Sequence, residues 1–250
     1  MIVAEIYTQS DGKIVGFVLR GHSVGKGGHG YNIHCAEASM LSQAAYLGIR
    51  GYLNRDAAAE NNEHGGLGVE LKNAPDDLTE AVFRTMLIGL KAVERVAPKA
   101  VKVKMRKIDK STEADLQSKI SRMNPSRSKP LPKLPIDDVM IRAEIFHGVD
   151  GNVTGFCVEE RDGKLINELQ IYRASIWILV KATFSCVKDH LKRGVEFETS
   201  ANRLTMRLTT APDAVTEAAF QTMLIGLREV EKLAPQIINV TENFLGGENK

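Results

Sequence analysis

Cysteine, long apolar runs and net charge are all scarce in this chain, and each shortage closes off a class of explanation. Three cysteines in 250 residues (Cys35, Cys157 and Cys186) are an odd number without framework spacing, so a disulfide-stapled secreted domain is not expected. A reducing cytoplasm fits, and there a thiol stays available as a nucleophile. No apolar stretch approaches the roughly 20 residues of a membrane span. The opening MIVAEIYTQSDGK lacks the basic segment, apolar stretch and small-residue cleavage site of a signal peptide. The expectation is a cytoplasmic protein without membrane contact. Net charge is only +2, too little for a protein basic along its whole length.

That small charge is unevenly spread. Residues 99–135 carry eleven Lys or Arg against three Asp or Glu, an excess of eight, so the rest is acidic by about six. Such a segment could make a weak electrostatic contact with RNA or another polyanion. It could equally be a solvated linker, and it has no aromatic residue to stack on a base. Apolar content of 43% and charged content of 26% are ordinary for a globular protein.

What the chain does contain is the same domain twice. TEAVFRTMLIGLKAVERVAP at 79–98 matches TEAAFQTMLIGLREVEKLAP at 216–235 at fourteen of twenty positions, and MIVAEIYTQSDGKIVGF at 1–17 pairs with MIRAEIFHGVDGNVTGF at 140–156. Between these matched ends the copies part. GHSVGKGGHGYNIHCAEAS at 21–39 has ERDGKLINELQIYRAS at 160–175 as its counterpart, with Arg161 opposite His22 and Arg173 opposite Cys35. A scaffold that persists without His22, Cys35 and the glycines does not need them to fold. They become candidates for function.

Periodicity gives each copy the order ββαβαβ. In the first, apolar strands at 1–8 and 13–20 flank the turn Ser10-Asp11-Gly12-Lys13, a hairpin pattern. A helical pattern runs from about Cys35 to Arg55, LGVELKN forms a third strand, and Pro75-Asp76-Asp77 opens a helix to about Val96. VKVKMRKI is a final edge strand whose lysines discourage edge pairing. The second copy repeats this, with strands near 140–146, 153–159, 203–209 and 236–242 and helices near 173–193 and 213–233. The fold class expected is α/β (α+β). It comprises two repeated two-layer sandwich domains, each with a small, mainly antiparallel sheet and two helices. The boundaries are 1–108, a basic, Pro-rich linker at 109–138 (with Pro125, Pro130, Pro132 and Pro135), and 139–245. The start of the linker, STEADLQSKISRM, could form a short helix, and its proline part is stiff and extended.

In the first copy Cys35 falls at a helix N-terminus, where the dipole favours thiolate over thiol. His22 sits just past the second strand, on the other rim of the glycine loop, within reach as a general base if the loop folds back. Backbone N–H groups near Cys35 and Ala36 could receive an oxyanion. Gly21, Gly27, Gly28 and Gly30 allow a mobile flap over the site. The chemistry suggested is acyl transfer to a thiol, by a cysteine peptidase or amidase, with no metal or cofactor. Otherwise a lone cysteine at a helix start is a small buried hydrophobe, and a lone histidine is polar surface. Two further readings use the same residues. Gly25-Lys26-Gly27-Gly28-His29-Gly30 matches GxGxxG, but it follows a tight antiparallel hairpin rather than opening a βαβ unit. His22, His29, His34 and Cys35 could bind zinc, although their spacing is not that of structural zinc sites.

The stretch from Gly21-His22 through a glycine-rich gap to NIHCAEAS resembles the Prp cysteine proteases of Firmicutes and related bacteria. The TMLIGLKAVE helix and the element order are also similar to that family. The resemblance implies Cys35 as nucleophile and His22 as its base, with Asn32 and Ser39 at the positions of the family's supporting polar residues. It implies a dimer and a substrate: the family removes an N-terminal extension from a large-subunit ribosomal protein precursor. This sequence has Asn32 where an aspartate is common, a His–Cys gap one residue longer, His34 in place of an apolar residue, and an added Glu37. The family form is a single domain. The fused copy therefore suggests an intramolecular pseudo-dimer joined through the near-identical helices, with a homodimer also possible. The contrasting reading is a non-catalytic, ribosome-associated or regulatory binding protein that kept the fold.

Overall fold

Alternating β-branched and aromatic residues build the first hairpin, in which β1 (Ile2–Thr8) pairs antiparallel with β2 (Ile14–Arg20). The computed structural model describes residues 1–22, 33–61, 66–121, 139–161 and 170–245. After the hairpin come α1 (Ile33–Leu47), a π-helical turn (Gly48–Tyr52), β3 (Ala57–Asn61), β4 (Leu67–Leu71), α2 (Asp77–Val96) and β5 (Val101–Lys107). The sheet order is β3-β4-β2-β1-β5, antiparallel except where β5 runs parallel to β1 at one edge.

The segment after β5 forms α3 (Lys110–Ser121). The second half then repeats the first: β6 (Ile141–His147), β7 (Val153–Glu160), α4 (Gln170–Ser185) with a π-helical turn (Cys186–His190), β8 (Val195–Thr199), β9 (Arg203–Leu208), α5 (Ala214–Leu233) and β10 (Ile238–Phe244). Its sheet has the same order, β8-β9-β7-β6-β10. The register even shifts at matching places, Tyr7/Thr8 and Phe146/His147.

The mixed α/β class, with two similar sheet-bearing halves, is the one the sequence implies. Each half has one more strand than the expected ββαβαβ order, giving ββαββαβ. In the first half that strand is AAAEN, with no β-branched or aromatic residue to mark it, and it exists through pairing with β4 from Ala57↔Leu71 to Asn61↔Leu67.

Both long helices start on the same device. Asp76 accepts from Thr79 N at 2.8 Å, and Asp213 accepts from Thr216 N at 2.8 Å. One turn in, Glu80 accepts from Ile14 N and Glu217 from Val153 N, each at 2.7 Å, which ties helix to hairpin. α2 buries more than one stripe, including Thr85, Met86, Leu87, Gly89 and Leu90. The cause is that its own sheet lies on one side and helices of the second half on the other. α1 likewise packs against α4. One cluster of buried side chains runs from Phe17 and Phe83 through Leu41 and Leu179 to Phe156 and Phe220. Each such side chain contributes roughly 1.5–3 kcal/mol on burial. Gly226 of α5 sits at this contact: a Cβ there would meet Leu179 at 2.5 Å and Ala44 of the first half at 3.1 Å.

The sheets differ on their outer faces. α3 lies over the first, where Leu116 and Ile120 cover Tyr7, Val15 and Val18. Beneath it, Glu5 accepts from Lys119 Nζ at 2.9 Å, Arg106 Nη2 at 3.0 Å and Arg20 Nη2 at 2.8 Å. Burial alone would raise the Glu5 carboxyl, but these three cations hold it down at about 2. In the second half the counterparts of Val15 and Val18 are Thr154 and Cys157, and β6 alternates buried and exposed residues as a solvent-facing strand does. Among the described residues, no helix is long and apolar enough to cross a membrane.

Candidate active site

The end of β2 and the start of α1 frame a pocket of about 240 Å³, lined by Ile2, Leu19, Arg20, Gly21, His22, Cys35, Ala36, Ala38 and Ser39. Cys35 is the third residue of α1, where backbone N–H groups lack intrahelical partners and the dipole is positive. Ser39 stands one turn further along the same face. Its Oγ accepts from Gln43 Nε2 at 2.9 Å. His22 follows β2 directly, after the turn at Gly21. Strand and helix therefore deliver the histidine and the cysteine to one cavity.

Gly21 is required there twice over. Its φ is +89°, and a Cβ on it would lie 2.5 Å from the Met1 carbonyl oxygen. Arg20, on the pocket wall, is held by Glu5 at 2.8 Å. Glu37, the acid added next to the nucleophile in sequence, is paired with His34 Nδ1 at 2.8 Å. Of the residues singled out in the sequence, Cys35, His22, Gly21 and Ser39 share the pocket, whereas Asn32, Gly27, Gly28 and Gly30 lie outside the described residues. Arg20, Ile2, Leu19 and Ala38 were missed as pocket walls. Adjacency in sequence to His22 and Cys35 was a signal for all but Ile2.

The three thiols are not equivalent. Cys35 is partly exposed, while Cys157 and Cys186 are buried. Burial pushes the Cys186 thiol up to about 11, which leaves it protonated and inert. Among the described residues, no group of three or more His, Cys, Asp or Glu side chains is placed to hold a metal ion, and His22, His34 and Cys35 form no such group.

The second half holds something different at the corresponding place. Cys35 precedes the π-helical turn at Gly48 by 13 residues, as Arg173 precedes the one at Cys186 (48 − 35 and 186 − 173). Strand register sets Leu19 and Val158 opposite Ala4 and Ala143, so Glu160 takes the place of Gly21. There the buried Glu160 carboxylate accepts from Arg173 Nε at 2.6 Å and from Trp177 Nε1 at 2.9 Å. An ion-paired cluster stands where the first half has a thiol and a histidine.

Comparison with known proteins gives a match over part of the chain. None of the curated proteins matches the chain. Among solved structures, the ribosomal processing protease Prp from S. aureus, in complex with a covalently linked product peptide, is 20% identical with a TM-score of 0.38, covering 42% of this chain and 100% of its own. A Streptococcus mutans protein is 22% identical with a TM-score of 0.38, covering 43% of this chain and 96% of its own. The model of the family described as cysteine protease Prp matches residues 1–102. The match to the cysteine protease Prp family thus falls on the half of the chain that carries Cys35 and His22.

Proposed function

We propose that this protein is a cysteine endopeptidase with a single active site, in which Cys35 is the nucleophile and His22 the base. The observation that carries the reading is the shared pocket of Cys35 and His22, set against the Glu160–Arg173–Trp177 cluster at the matching place. In the reaction, the His22 imidazole takes the thiol proton and the Cys35 sulfur attacks the scissile carbonyl carbon. N–H groups of the first turn of α1 receive the oxyanion. Collapse breaks the C–N bond, and the imidazolium gives its proton to the leaving amine. Water, deprotonated by His22, then hydrolyses the thioester and restores the thiol.

The family match supports a substrate of the family's kind, a large-subunit ribosomal protein precursor that loses an N-terminal extension. We assign residues 1–108 as the catalytic unit, 109–138 as its connection and 139–245 as an inactive partner. The helix contacts between the halves support a pseudo-dimer within one chain, in which the second copy does the work of a partner subunit. The test is incubation of the purified protein with a synthetic peptide spanning the start of that ribosomal protein from the same genome. Cleavage by the native protein, lost in Cys35→Ala and His22→Ala, is the expected result. An uncut peptide would favour a binding protein that kept the fold.

A further inference from the structure

A second cavity, of about 230 Å³, lies where the halves meet, between Glu37 of α1 and Arg173, Ala174, Trp177, Ile178 and Lys181 of α4. Glu37 sits between Ala36 and Ala38, which line the candidate active site, so the two cavities flank the same turns of α1. We propose that this second cavity is a substrate subsite, supplied mostly by the degenerate half, that takes an acidic side chain of the peptide. The proposal rests on the proteolytic reading of the first cavity.

The charges decide the class of ligand. Arg173 is already matched by Glu160 at 2.6 Å, and its side chain remains 40% exposed. Glu37 is only 16% exposed and is engaged by His34. Lys181 is exposed, and its ammonium lies 5.5 Å from the centre of the Trp177 ring. Among the described residues no carboxylate pairs with Lys181. The anion of the cavity is thus mostly covered while the cations face outward, and the indole with Ala174 and Ile178 offers an apolar wall for an aliphatic stem. An Asp or Glu side chain fits that arrangement, and a Lys or Arg side chain would meet like charge. A helix with its side chains is about 10 Å across and an extended peptide advances about 3.3 Å per residue. The acidic residue should therefore sit about three positions from the cleaved bond.

Trp177 is the only tryptophan in the chain, so its fluorescence reads this cavity directly. The probe is the capped peptide acetyl-Ala-Ala-Glu-Glu-Ala-Ala-amide, titrated into the Cys35→Ala protein beside its Gln and Lys counterparts. A saturable emission change is expected with the Glu peptide alone, weakened about tenfold or more by Lys181→Glu, as loss of a charge-assisted contact predicts. No saturable change with the Glu peptide, equal binding of the Lys peptide, or unaltered affinity in Lys181→Glu would overturn the proposal. The titration contains no cleavage step. Failure of the proteolytic reading would leave its result standing, and its own failure would leave Cys35 reactivity untouched.

Discussion

Arg173 Nε donates to Glu160 at 2.6 Å, at the two positions that in the first half belong to Cys35 and Gly21. The duplication has thus been resolved in opposite directions, one copy keeping a thiol and the other placing a salt bridge there. Removing the arginine leaves a buried carboxylate with Trp177 as its remaining donor. Arg173→Ala should lower unfolding free energy by about 1–3 kcal/mol, measured by urea denaturation. Glu160→Gln should cost less, and iodoacetamide labelling of Cys35 should be unchanged in both.

Gly21 supports the site without supplying chemistry. Its φ of +89° and the 2.5 Å approach of the Met1 carbonyl make Gly21→Ala a strained substitution, at a cost of about 1–3 kcal/mol. Because the displaced residue is the neighbour of His22, peptide cleavage should fall more than stability does. Activity equal to that of the native protein would show that the turn does not position the histidine.

Acid should loosen α3 before it unfolds the core. The Glu5 carboxyl is held at about 2 against an ordinary 4.5, so its ion pairs are fully stabilising above pH 4.5. That contribution, on the order of 3 kcal/mol, is lost as pH falls from 4.5 towards 2. Proteolysis of the 110–121 segment should rise across that window, and Glu5→Gln should flatten the dependence. A protection profile without a step there would contradict the role given to Glu5.

The helix contact between the halves should make them unfold together. One buried cluster spans both sheets, so calorimetry should give a single transition rather than two. Gly226→Leu places atoms where Leu179 and Ala44 already stand, and overpacking of this kind costs about 1–3 kcal/mol. Two separate melting transitions in the native protein would sink the pseudo-dimer.

Much of this was legible in the residues. Matching segments located both copies, alternation located the hairpins, and Asp76 with its first-turn acids marked the start of α2. Subtraction of one copy from the other singled out Cys35 and His22, and the two do line one pocket. The short strand β3 was not legible, since Ala57, Ala58 and Ala59 have no strand preference of their own and depend on β4. Nor was the docking of α3, which depends on Leu116 and Ile120 meeting Tyr7, more than a hundred residues away in sequence. The Glu160–Arg173–Trp177 cluster was hidden for the same reason: single-sequence patterns report a residue's neighbours along the chain, and this cluster joins a strand end to a helix face.

The central claim is that one thiol of three is activated, and by one histidine. Iodoacetamide at mildly acidic pH, below the ordinary thiol range, tests it directly, with the modified residue identified by mass spectrometry. The native protein should take up one label at Cys35, His22→Ala should lose that rapid reaction, and Cys157 and Cys186 should react only after denaturation. Equal, slow labelling of all three cysteines, or rapid labelling of Cys35 that survives His22→Ala, would contradict the account.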